Sequence, residues 1–173
     1  MVLDFQELAS GPLSLDQEVD LERVPGEGGA SIRVSELRFA GRAERSERGA
    51  ALEGRLTGRA ELRCSRCVDP VFWEIDQPVE LSLVAERFDE FASEGPDADD
   101  SLYYAEGGRA ELAAIAREQV YLSLPLKPIC RPDCQGLCPT CGGNRNRIEC
   151  SCSEDPVDPR LAPLLEFKRR SGR

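Results

Sequence analysis

Between residues 31 and 84, apolar and polar side chains alternate with the two-residue period of half-buried strands. In "ALEGRLTGRAELRC" (51–64), Leu52, Leu56, Ala60 and Leu62 share one parity, and Glu53, Arg55, Thr57, Arg59, Glu61 and Arg63 share the other. In "VDPVFWEIDQPVELSLV" (68–84), Val71, Trp73, Ile75, Val79, Leu81 and Leu83 fall on one face, opposite Glu74, Asp76 and Glu80. An arginine-rich face beside an acid-rich face predicts antiparallel neighbours with complementary polar surfaces. Pro78 donates no ladder hydrogen bond, so it predicts an edge position or a bulge. The alternation in "SIRVSELRFAGRA" (31–43) slips at Ser35 and Glu36, which predicts a bulged strand.

The period then changes. Leu112, Ile115, Ala116 and Val120 recur at helical spacing within "RAELAAIAREQVYLSLP", and Pro125 ends any helix before it, which predicts a core-packing helix near 110–123. Residues 86–106 hold eight acids, one arginine and a Gly-Pro with no sustained period, so they are expected to form a solvated loop. "GEGGA" at 26–30 reads as a flexible turn. Near the C-terminus Asp158 is placed as an N-cap and Pro159 at the first helical position. Lys168, Arg169 and Arg170 complement the far end of the dipole, predicting a short terminal helix with a basic tail.

The expected fold class is therefore α+β. An antiparallel sheet over about 31–84 and a packing helix form an acidic domain within 1–126, followed by a cysteine-rich C-terminal module over 127–173. A length of 173 residues with 40% hydrophobic content suits one ordinary domain plus a small appendage. The net charge of −10 is unevenly spread: residues 127–173 carry nine Lys or Arg against six Asp or Glu, a balance of +3, which leaves −13 for the first 126. The two parts are expected to face different partners. "MVLDFQELASG" lacks the basic region and apolar run of a secretory signal, and no apolar stretch is long enough to span a membrane, which predicts a cytoplasmic protein.

That location bears on the eight cysteines, six of which crowd into "CRPDCQGLCPTCGGNRNRIECSC" (130–152). In a reducing compartment clustered thiols point to metal rather than to disulfides. "CPTCGG" has the form of a metal knuckle, with two thiolates two residues apart and glycines that let backbone N–H groups turn toward sulfur. Cys150 and Cys152 complete a four-thiolate set with Cys138 and Cys141, while Cys64, Cys67, Cys130 and Cys134 form a second that ties a strand connection to the segment after the helix. A soft all-sulfur donor set in a chain without histidine selects zinc, as one or two ions, or an iron–sulfur cluster; zinc is favoured because nothing demands redox chemistry. A thiol redox switch at Cys64 and Cys67, or buried thiols acting as small hydrophobes, are the competing readings. Arg66, Arg131, Arg145 and Arg147 lie beside the proposed ligands, either screening thiolate charge or reaching phosphates.

These residues also carry a resemblance. Glu118 ahead of "LSLP", Lys127 and Pro128 leading into Cys130, "GLCPTCG" at 136–142, Cys150 and Cys152, and "DPR" at 158–160, with "CSRC" some sixty residues earlier, resemble the YceD family. The likeness runs over nearly the whole chain and is strongest from Arg117 to Leu164. It implies a role in ribosome production, since members are linked to accumulation of large-subunit ribosomal RNA and are often encoded beside a small zinc-binding protein of the large subunit. Some relatives keep the first Cys-x-x-Cys without the C-terminal cysteines, which casts the metal as a staple.

The absence of histidine removes Ser-His-Asp, Cys-His and His-ligated hydrolytic designs, and no phosphate-cradling glycine loop is present. The acidic majority and the lack of a basic recognition helix argue against sequence-specific DNA binding. The expected function is a non-enzymatic, zinc-binding ribosome-biogenesis factor with no small-molecule substrate and no membrane association. It engages ribosomal RNA, through Arg145, Arg147, Lys168, Arg169 and Arg170, or a large-subunit ribosomal protein. The alternative is a thiol redox sensor or oxidoreductase using Cys64 and Cys67.

Overall fold

The computed structural model describes residues 1–21, 23–25, 31–85 and 101–152, together with Arg160 and Leu164. The chain separates into two compact units. The first comprises Met1–Arg63 and Pro70–Pro128, the second Cys64–Asp69 and Ile129–Arg173.

The first unit is built on three long strands, β4 (Ser31–Ser46), β5 (Gly49–Arg63) and β6 (Pro70–Val84), numbered after the short β1 (Val2–Asp4), β2 (Leu13–Glu18) and β3 (Val24–Pro25). β4 and β5 pair antiparallel, as do β5 and β6 from Gly49↔Val84 to Arg63↔Pro70. β2 adds to the free side of β4, β3 pairs with its beginning, and β7 (Leu102–Tyr104) closes the other edge against β6. β1 pairs separately with β8 (Arg109–Glu111), which leads straight into the helix α1 (Leu112–Ser123).

Period two sorts the side chains. Leu52, Leu56, Ala60, Leu62, Ile75, Val79, Leu81 and Leu83 are all buried, joined by Phe39 and Ala43 from β4. Leu112, Ile115, Ala116 and Val120 of α1 complete this core, and α1 packs against β3, β5, β6 and β8. Each fully buried Leu or Ile contributes about 1.5–3 kcal/mol relative to an exposed one, so this shared face supplies most of the unit's stability. The opposite face is an ion-pair grid: Arg38 donates to both carboxylate oxygens of Asp16 at 2.6 Å, Arg42 to Glu53 at 2.8 Å, Arg59 to Glu74 at 3.1 Å and Arg55 to Asp76. These pairs are exposed and add little to stability. Their consequence is that the named arginines are already matched by carboxylates.

The slip at Ser35 and Glu36 is a bulge. The β4–β5 register shifts between Ser35 and Arg38, and Glu36 adopts a φ of 54°. Pro78 lies in the stretch of β6 whose second edge carries no strand among the described residues, since β7 reaches only Ser82–Val84.

Several expectations change. The sheet is mixed rather than wholly antiparallel, because β7 runs parallel to β6. It also begins before residue 31; β2 buries Leu15 alone, so it shows no alternation to read. The expected loop 86–106 contains β7 and a 3-10 turn at Glu106–Gly108, while 86–100 lie outside the described residues. The helix starts at Leu112 because 109–111 are extended against β1. Trp73 is 38% exposed and Val71 half-buried, so the apolar face of β6 is not buried along its whole length. The turn at 26–30 lies outside the described residues. So does the terminal helix with its basic tail, apart from Arg160 and Leu164. No helix among the described residues is long and apolar enough to cross a membrane.

Candidate metal centres

The second unit is organised by two turns that share one hydrogen-bond plan. In Cys64–Asp69, the N–H of Val68 donates to Cys64 O at 2.9 Å and the N–H of Cys64 to Asp69 O at 2.8 Å. In Cys138–Gly143, the N–H of Gly142 donates to Cys138 O at 2.8 Å and the N–H of Cys138 to Gly143 O at 2.8 Å. Each turn brings the two sulfurs of a Cys-x-x-Cys to one side. The position after the second cysteine must be left-handed: Gly142 has φ 72°, and Val68 holds φ 64° in spite of its branched side chain.

The turns gather two tetrads. Cys64, Cys67, Cys130 and Cys134 form one; Cys138, Cys141, Cys150 and Cys152 form the other; in each, the four sulfurs lie within 4.8 Å of one another. In the first, Cys64–Cys134 and Cys67–Cys130 are 3.9 and 3.6 Å apart. In the second, Cys141–Cys150 and Cys138–Cys150 are 3.6 and 3.4 Å apart. A disulfide needs about 2.05 Å. Four thiolates placed tetrahedrally at about 2.3 Å from a zinc ion stand about 3.8 Å from each other, so both tetrads fit a metal and neither is a pair of disulfides.

Within each tetrad the thiols are shifted in opposite directions. Burial resists ionisation of Cys64, but the N–H groups of Cys130, Arg66 and Cys67 aimed at its sulfur outweigh it and bring the thiol down to about 6. The N–H groups of Cys141 and Thr140, with the Cys150 thiol, bring Cys138 down to about 6. Their neighbours move the other way. At Cys67 the Asp69 N–H favours the thiolate, yet burial and the surrounding thiols push it up to about 12. The Cys150 and Cys141 thiols push Cys152 up to about 12. Within each cluster one thiolate is prepared at the expense of another, and only a bound cation lets all four ionise together.

Polar residues not singled out from the sequence hold the unit together. Asp69 accepts from Asn144 Nδ2 at 3.0 Å and Arg147 Nη2 at 2.8 Å, tying the first turn to the segment after the second. Asn146 donates from Nδ2 to Cys134 Sγ at 3.4 Å and to Asn144 Oδ1 at 2.8 Å. Its Oδ1 accepts from Gln135 N at 2.8 Å and Arg131 Nη2 at 2.9 Å. The signal for these residues was "NRNR", an unbroken polar run between two ligand pairs, but nothing in it marked Asn146 as a partner of sulfur. Arg66 donates to the carbonyls of Pro132 and Cys134, and Arg147 is spent on Asp69. Arg145 is exposed, and its side chain makes no hydrogen bond or ion pair with another described residue. Lys168, Arg169 and Arg170 lie outside the described residues. Cys64 and Cys67, the pair expected of a redox site, are only 2% and 3% exposed.

Comparison with known proteins adds identity to this geometry. The family profile described as large ribosomal RNA subunit accumulation protein YceD matches residues 52–168, which span both tetrads. The chain is similar to an uncharacterized protein of Mycobacterium tuberculosis, 32% identical over 138 residues, covering 73% of this chain and 59% of that one. It thus spans about three-fifths of the length of that mycobacterial relative. It is also similar to the uncharacterized protein YlbN of Bacillus subtilis, 22% identical over 170 residues, covering 98% of this chain and 95% of the other. A third relative is the Zea mays protein named large ribosomal RNA subunit accumulation protein YCED homolog 1, chloroplastic. It is 36% identical over 70 residues, covering 39% of this chain and 24% of that one. No solved structure matches the chain.

Proposed function

The chain belongs to the YceD family, and on that premise we propose that it is a non-enzymatic, zinc-stabilised ribosome-biogenesis factor that supports accumulation of large-subunit ribosomal RNA in the cytoplasm. The observation that carries this reading is the coincidence of the family match with two complete cysteine tetrads inside the matched residues. Zinc braces a segment with little core of its own; the ions are structural, and the working surface lies around them.

Charge favours a basic large-subunit ribosomal protein as the direct contact of this surface, ahead of RNA phosphate. Residues 64–69 and 129–152 hold four arginines and three acids, a balance of +1. Each four-thiolate zinc carries two excess negative charges, so two of them bring the segment to about −3. Of its arginines, Arg66 is bonded to the Pro132 carbonyl, Arg147 to Asp69 and Arg131 to Asn146, which leaves Arg145 as the cation that faces solvent without a partner among the described residues. Burial of Cys64 and Cys67 removes the accessible sulfur that an oxidoreductase would need.

The test is depletion of the protein in growing cells, with the ratio of large- to small-subunit ribosomal RNA as readout, paired with a low-salt pull-down from the same cells. A falling ratio, restored by the wild-type chain, and enrichment of large-subunit proteins or precursor RNA over a charge-matched acidic control are the expected results. An unchanged ratio with no ribosomal enrichment overturns the reading.

A further inference from the structure

We propose that Cys141 and Cys150 form an oxidative modification site, through which a peroxide opens the second tetrad and releases its metal ion while the first tetrad keeps its own. The inference rests on the metal reading above and goes beyond it, since structural metal sites need not differ in reactivity.

The two tetrads share their turn geometry and differ in access. Cys64, Cys67 and Cys134 are buried and only Cys130 is exposed, whereas in the second set Cys138 alone is buried, Cys150 is intermediate, and Cys141 and Cys152 are exposed. In the first, the one exposed cysteine, Cys130, stands 3.6 Å from the buried Cys67. Asn146 also donates to Cys134 there, and the N–H of Cys130 to Cys64 at 3.4 Å, so two of the four sulfurs are screened by donors. In the second, an exposed cysteine and a half-exposed one stand 3.6 Å apart between Cys141 and Cys150. Closing that gap to a disulfide takes about 1.6 Å of sulfur movement, within reach of side-chain rotation. Cys138 is nearer still to Cys150, at 3.4 Å, but it is buried.

The chemistry balances with hydrogen peroxide as the oxidant. The Cys141 thiolate attacks one peroxide oxygen; an S–O bond forms, the O–O bond breaks, and hydroxide leaves to become water. The Cys150 thiolate then attacks the Cys141 sulfur; the S–S bond forms, the S–O bond breaks, and a second hydroxide takes a proton from solvent. Two thiolates lose two electrons, one peroxide becomes two waters, and Cys138 and Cys152 alone do not retain the ion. A dithiol reductant and free metal reverse the change.

The experiment titrates the full chain, purified without a histidine tag, with hydrogen peroxide. Metal content is measured beforehand, metal release is followed with a chromogenic chelator, and disulfides are mapped by differential alkylation and mass spectrometry. One ion per chain is expected to leave about ten-fold faster than the other, together with a Cys141–Cys150 disulfide. Reductant and zinc restore the starting state. Simultaneous loss of both ions, first oxidation among Cys64, Cys67, Cys130 and Cys134, or release with no disulfide overturns the proposal while leaving the metal reading intact. Protein isolated without metal overturns the metal reading, and the map then decides the oxidation site alone: Cys141–Cys150 appearing first sustains it, and any pair from the first tetrad appearing first overturns it.

Discussion

The turns at Cys64–Asp69 and Cys138–Gly143 make the same two backbone hydrogen bonds, yet one carries Val68 where the other carries Gly142, and three cysteines of the first set are buried where only Cys138 of the second is. The shared part is what a metal knuckle requires: two sulfurs on one side, N–H groups turned toward them, and one residue in the left-handed region. The differing part comes from the second half of each site. Cys130 and Cys134 arrive on a segment closed over by Asn146, while Cys150 and Cys152 arrive as a Cys-x-Cys that is half-buried at its first sulfur and exposed at its second. One motif can therefore serve as a closed staple or as an accessible thiol site, and the neighbours decide which.

Breaking the comparison at its strongest point gives the largest effect. Removing metal with a strong chelator, or replacing the buried Cys64 by serine, is expected to unfold the second unit and lower stability by several kcal/mol. Cys152→Ser, at the exposed site, should cost less than Cys64→Ser in the same thermal or urea denaturation; equal costs would erase the distinction between the tetrads. Next is Asn146→Ala, which removes the donor to Cys134 and a bridge to Gln135 and Arg131; about 1–3 kcal/mol should be lost, and metal should leave the first tetrad faster without change at the second. Asp69→Asn keeps the shape and weakens the Arg147 pair, and should cost under about 1 kcal/mol because Arg147 is largely exposed.

The sharpest comparison is one of sign. Exchanging the residues at the left-handed position should move the two turns in opposite directions. Val68→Gly relieves a branched residue at φ 64°, and Gly142→Val imposes one where an added Cβ meets no atom within 4 Å. Backbone strain alone predicts a loss of about 1–2 kcal/mol for the second and a smaller gain for the first, offset by the added freedom of glycine in the unfolded chain. Melting temperatures of the two metal-loaded variants read this directly. A stabilising Gly142→Val would mean that the left-handed turn is not what the position requires.

Much of the first unit was legible because burial there is one-sided. The parity of Leu52, Leu56, Ala60 and Leu62, the slip at Glu36 and the helical spacing of Leu112, Ile115, Ala116 and Val120 each reflect one face pressed against a core. β2 and β7 were missed because neither buries enough side chains to leave a period, and the parallel direction of β7 is set by a connection, not by composition. In the second unit the cysteines stood out by type and spacing. What spacing could not convey was access: that Cys64 and Cys67 are enclosed while Cys141 is exposed, and that Asn144, Asn146 and Asp69 knit the turns together. Those facts depend on which segments meet across the chain, as in the contact of Asn144 with Asp69, 75 residues apart.

The most direct test of the central claim is the metal content of the untagged, reduced protein by inductively coupled plasma mass spectrometry, counted against chain concentration and free thiols. Two zinc ions per chain, with the eight cysteines resisting alkylation until a chelator is added, is the predicted result. Protein that is folded, free of zinc and iron, and fully alkylated without a chelator would contradict it.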